Sequence, residues 1–80
     1  MFKSIINNSP IRVLILTARI HEIKGEIQEK KNNLRNALSC YSEGIELKCK
    51  DDELNFSLYL KRSRIHQLLG EFRRHIRFLF

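Results

Sequence analysis

The residues able to do chemistry are few and far apart. His21, His66 and His75 are too dispersed to form a metal triad, and neither Cys40 nor Cys49 has a His and an acid at a known catalytic spacing. A catalytic role, a metal site and a bound cofactor are therefore not expected. Two cysteines are too few for a secreted disulfide scaffold, so both read as reduced thiols of a cytosolic protein. The basic run Lys61, Arg62, Arg64, Arg73, Arg74 and Arg77, set beside Tyr59 and Phe78, is the one feature that suits nucleic acid. It carries no recognised reading motif, and helical spacing scatters it around its helices as a solvated face.

The chain that must position these groups has 80 residues, enough for one domain with a thin core. With 42% hydrophobic and 30% charged residues it has the composition of a folded, helix-rich protein. Its formal charge of +6 favours acidic partners of any kind without choosing among them. Lys3, Arg12 and Arg19 precede the first acid, Glu22, as in a presequence, yet serine and arginine are sparse there. The apolar run 11–16 is broken by Arg12 and falls short of the roughly 20 apolar residues a membrane span needs. No membrane association is expected, and the location expected is cytoplasmic, with the nucleus not distinguished from it.

Periodicity gives the elements. Leu16, Ile20, Ile23 and Ile27 form one stripe of a helix over 11–30, whose start suits Ser9 and Pro10 and which leaves 1–10 as a flexible segment. After the polar break at 30–33, Leu34, Ala37, Leu38, Tyr41 and Ile45 define a second helix ending near Leu47. A charged loop over 48–53 places its acids at the start of a third helix, where the helix dipole favours negative charge. Leu54, Leu58, Ile65 and Leu69 continue that helix until Gly70, read as a cap, stops it. Phe72, Ile76, Leu79 and Phe80 then form the apolar face of a short fourth helix, which two repeats without a capping helix would leave exposed to self-association. No segment shows strand alternation, so the fold class is all-α: four helices in antiparallel hairpins.

Lys24-Gly25, followed by Leu34-Arg35-Asn36-Ala37-Leu38-Ser39-Cys40-Tyr41-Ser42-Glu43-Gly44-Ile45, resembles a repeat of the tetratricopeptide-repeat (TPR) family. In such a repeat a small residue on the first helix lets the second approach, Ala37 packs into the contact and Tyr41 fills the space one turn on. Gly44 would be the small residue against the next helix. The stretch from Leu47 through Asn55, Leu58-Tyr59, Arg62 and Leu69-Gly70 resembles the following repeat, with a lengthened acidic loop between. From Gly25 to Ser63 the spacing is 38 residues, against about 34 for the family. The chain departs from the pattern at His21, Lys24 and Gln28, where large apolar residues are preferred, and at His75, where a small one is.

The resemblance implies about two degenerate repeats of a right-handed superhelix, the first over about 18–50 and a partial second over about 52–80. It also implies a protein-interaction module, with a peptide or helix of a partner protein as ligand. Co-chaperones of this family hold the acidic carboxyl end of heat-shock chaperones in a clamp of Lys and Asn side chains. By position, the clamp residues of the first repeat correspond to Glu22 and Glu26 and that of the second to Lys61. Two acids stand where donors are expected, so the resemblance implies either an altered partner preference or, more simply, a solvated acidic face, with Lys61 neutralising at best one of the two. A small basic helical protein associated with nucleic acid or the ribosome is the alternative.

Overall fold

The computed structural model describes residues 2–79, and the side chains of residues 10–71. Three helices follow one another: α1 (Phe2–Lys30), α2 (Leu34–Glu46) and α3 (Asp52–Leu79), with no strand among the described residues. The fold is an all-α arrangement of TPR-like antiparallel helical hairpins.

The break after α1 is a backbone motif made by asparagine. Asn32 adopts φ 63°, the left-handed region that Asn tolerates better than most residues. Its N–H bonds to Glu29 O at 3.0 Å, and Asn33 N–H reaches Gln28 O at 2.9 Å, which closes the helix in a Schellman motif. Asn33 O then accepts the N–H of Ala37 at 3.0 Å and opens α2. The second connection is built from an acid and an amide. Asp51 Oδ1 accepts the N–H of Leu54 at 3.0 Å as the N-cap of α3, with Asp52 and Glu53 in the first turn. Asn55 Nδ2 donates to Cys49 O at 2.7 Å and holds the loop against the helix.

The core is Ala18, Ala37, Tyr41, Ile45, Cys49, Leu54, Leu58 and Ile65, with Ile15, Leu34, Leu38, Leu47 and Leu69 packed at its edge. This matches the apolar stripes expected for α2 and α3. It does not match α1. Leu16, Ile20, Ile23 and Ile27 are 46 to 62% exposed, and the face turned to α2 is Ala18, Glu22 and Gly25. The reason is steric. A Cβ at position 25 would stand 2.6 Å from Cδ1 and 2.8 Å from Cζ of Tyr41, so the helices meet where α1 is smallest, not where it is most apolar. Gly44 plays the expected part on the other side of α2, where a Cβ would lie 3.2 Å from both methyls of Leu58.

Two boundaries differ from expectation. Ser9 and Pro10 do not start α1, which has Pro10 in its interior; one lost backbone hydrogen bond does not outweigh the helical register on either side. Gly70 does not end α3, which continues to Leu79 with no positive-φ glycine, so three helices replace four. The apolar residues assigned to a fourth helix, and His75, lie outside the described side chains, as do the side chains of the segment expected to be flexible, Pro10 excepted.

Candidate partner-binding face

α1 and α3 both pack on α2 and meet each other through polar side chains. On α1 the acids Glu22, Glu26 and Glu29 recur at steps of four and three; on α3, Ser57, Lys61 and Arg64 recur at the same steps. Each set therefore lines one helix face. The two faces interlock as a ladder. Ser57 Oγ donates to Glu22 Oε2 at 2.6 Å, and Lys61 Nζ donates to Glu22 Oε2 at 2.9 Å and to Glu26 Oε1 at 2.5 Å. Arg64 grips Glu29 with two bonds, Nε to Oε2 at 3.0 Å and Nη2 to Oε1 at 2.8 Å. The bonds ascend both helices together, so α1 and α3 run parallel, and the pairs 22–57, 26–61 and 29–64 share an offset of 35 residues, close to the repeat of about 34.

The three residues assigned to the clamp positions are thus brought together. Glu22 is not part of a solvated face, however: it is only 7% exposed, because it lies one turn from Gly25 on the side of α1 that α2 covers. Nor does Lys61 serve a single acid, since its three N–H donors let it bond Glu22 and Glu26 at once. Arg64, an expected substitute had the clamp been built from other residues, completes the arrangement together with Ser57, Glu29 and Tyr41, which the clamp positions did not mark. The signal was present: Glu29 stands seven residues after Glu22, and Arg64 three after Lys61.

The protonation equilibria reflect this network. Burial pushes the Glu22 carboxyl up, but the hydrogen bonds of Ser57 and Lys61, with the charges of Lys61 and Arg19, outweigh it and hold the group below the ordinary carboxylate range. The Arg64 guanidinium, helped by the Tyr41 hydroxyl, holds Glu29 low against its own partial burial. Partial burial works against the Lys61 ammonium, yet the bonds to Glu26 and Glu22 raise its pKa. Tyr41 Oη donates to Glu29 Oε1 at 2.9 Å, and burial followed by that bond raises the phenol above its ordinary value.

An open cleft of about 580 Å³ lies beside the ladder, lined by Glu26, Glu29, Lys30, Asn32, Lys61 and Arg64. Of the basic run on α3, Lys61 and Arg64 are committed to carboxylates and Arg62 lies over the Tyr59 ring at 5.3 Å; the side chains of Arg73, Arg74 and Arg77 lie outside those described. His21 Nδ1 is buried 3.3 Å from Glu43 Oε2 without hydrogen-bond alignment. Cys40 and Cys49 are free thiols, and the Cys49 Sγ lies 3.5 Å from Asn55 Oδ1. Among the described residues no group of three or more His, Cys, Asp or Glu could hold a metal ion, and no helix is long and apolar enough to cross a membrane.

A small residue of α1 seated under an aromatic of α2, a glycine of α2 against α3, and a parallel α1–α3 pair near the repeat length together define a TPR-like helical repeat. The chain is similar to tetratricopeptide repeat protein 4 of Bos taurus, 36% identical over 56 residues, and to the protein of the same name from Homo sapiens, 34% identical over 56 residues. Each match covers 70% of this chain and 14% of the relative, so the chain spans about one seventh of the length of these curated relatives. No family model matches it. No solved structure matches it either.

Proposed function

We propose that this chain is a protein-interaction module that holds a peptide or helix of a partner protein along the α1–α3 face, and that its ligand is neutral or basic and not an acidic carboxyl tail. Support for an interaction module comes from the likeness to TPR proteins and the TPR-like hairpins. The ligand preference rests on one observation: Lys61, the one cation at a clamp position, is already bonded to Glu22 and Glu26. A carboxylate entering the cleft would have to displace two carboxylates from that ammonium, and a charge-assisted bond contributes only about 1.5 to 3 kcal/mol. A co-chaperone role among the heat-shock chaperones, suggested by the family resemblance, would on this reading use another contact. Two free thiols suit the reducing cytoplasm.

Fluorescence anisotropy with a labelled peptide ending in Glu-Glu-Val-Asp tests the preference. No saturable binding is expected up to high micromolar concentration, while Glu22→Gln combined with Glu26→Gln, which leaves Lys61 without its carboxylates, should bind the peptide measurably. Tight binding by the unmodified chain would show that the ladder opens for a ligand or that other cations form the clamp.

A further inference from the structure

The outer side of α1 carries Val13, Leu16, Ile20, Ile23 and Ile27, at steps of three, four, three and four, and all five are exposed. That is the a/d spacing of a coiled-coil seam. At 3.6 residues per turn the five side chains fall within an arc of about 80° and extend about 21 Å along the helix. The arc lies opposite Ala18 and Gly25, which face α2, so neither α2 nor α3 overhangs it.

The positions beside such a seam, e and g, choose the partner through their charge. Here they hold Arg12, Thr17, Arg19, Lys24, Glu26 and, just past the helix end, Lys31. Arg12, Arg19, Lys24 and Lys31 are exposed, Arg19 with Glu22 Oε1 3.9 Å away, whereas the one acid, Glu26, is bonded to Lys61 of α3. The seam is therefore apolar with basic margins. We propose that it docks an amphipathic helix of another protein, with its own a/d apolar seam and acidic e and g positions. α1 is already folded by its packing on α2, so docking requires no helix nucleation on this side.

Two other occupants fit less well. A second copy of the chain in parallel would set Arg19 against Lys24 of its partner, and in antiparallel would match Arg19 only with a Glu26 that Lys61 already holds. A lipid surface takes a broad apolar face, usually with Trp or Phe, and this arc is narrow and purely aliphatic.

The test uses the full chain and a fluorescein-labelled synthetic peptide of about three heptads, with Ile and Leu at a and d and Glu at e and g. A second peptide carries Lys at e and g. Saturable binding of the Glu peptide to the seam, strengthened at low salt, is expected, whereas any Lys peptide held at the α1–α3 face should be indifferent to substitution of the seam isoleucines. Ile20→Glu with Ile23→Glu should weaken binding by roughly tenfold or more. Its helical circular dichroism should not change, because both side chains stand outside the core. Arg19→Glu with Lys24→Glu should transfer the preference to the Lys peptide. No binding of the Glu peptide, or Glu-peptide binding that survives Ile20→Glu with Ile23→Glu, would overturn the proposal. So would binding of phosphatidylglycerol vesicles without binding of peptide, and so would a dimer of the chain, seen in sedimentation and abolished by the same double variant.

Discussion

α1 makes two contacts of opposite character. Against α2 it is dry and shaped: Gly25 lies under the Tyr41 ring and Ala37 is fully buried, with no room for an added carbon at position 25. Against α3 it is polar and charged, a ladder in which each acid of α1 meets a donor of α3. The two teach different things about this chain. Close packing loses its contacts when volume changes by one or two carbons, and most of the stabilisation should therefore sit at the α1–α2 contact. The ladder contributes less, because exposed ion pairs are weak and the buried one must offset its own desolvation. It fixes which residues of α3 stand beside which residues of α1.

The largest effect should come from emptying the shaped contact. Tyr41→Ala removes a fully buried aromatic and should cost about 3 to 5 kcal/mol. For a chain of this length that is a large part of the roughly 4 to 12 kcal/mol expected in total, so urea unfolding followed by circular dichroism should show little or no folded baseline. Overfilling the same contact with Ala37→Leu should cost about 1 to 3 kcal/mol. If both variants melt like the parent, the division between the two contacts is wrong.

On the charged side, Lys61→Met leaves buried Glu22 with Ser57 as its main donor and should cost about 1 to 3 kcal/mol. Replacing Glu22 by Met as well should recover much of the loss, since a buried pair exchanged for apolar residues is often neutral. Failure of that recovery in chemical denaturation would mean that the ladder contributes more than register.

Acid and alkali should act on the ladder next. Glu22 and Glu29 ionise more readily folded than unfolded, so their contribution is complete above 4.5 and drains away as pH falls through their lowered values. Lys61 and Tyr41 are raised above 10.5 and 10.0, so theirs is complete below 10.0 and lost as pH rises through the raised values. The urea midpoint should therefore be flat between these limits and fall on both sides, with Glu29→Gln shallowing the acid limb. A midpoint that climbs as pH falls below 4.5 would contradict the bonding pattern. The smallest effect belongs to Arg64→Ala: its guanidinium is largely exposed, and the loss should stay below about 1 kcal/mol in the same assay.

Much of the fold could be read from the chain, because the stripes Leu34, Ala37, Leu38, Tyr41 and Ile45 of α2 and Leu54, Leu58, Ile65 and Leu69 of α3 are the ones that face inward. α1 carries two candidate faces, and hydrophobicity favours the wrong one. Gly25 and Tyr41 already marked the contact; stepping back from Gly25 by three and seven residues gives Glu22 and Ala18, the face that packs. Glycine at position 70 suggested a stop, yet a residue of low helix propensity does not end a helix whose neighbours sustain it. At the candidate face, position identified Glu22, Glu26 and Lys61, but not that they bond one another. That depends on how α3 lies beside α1, which is set by α2 through Gly44 and Leu58 and by no local pattern.

A helix that packs by its less apolar face is locally frustrated. Turned half a revolution, α1 would present Leu16, Ile20, Ile23 and Ile27 to α2. It cannot seat the Tyr41 ring, because no glycine lies on that side. It also carries Glu22 away from Ser57 and Lys61. Gly25 therefore fixes how α1 is rolled in the hairpin: only this rotation seats the Tyr41 ring and brings the three acids to the donors of α3.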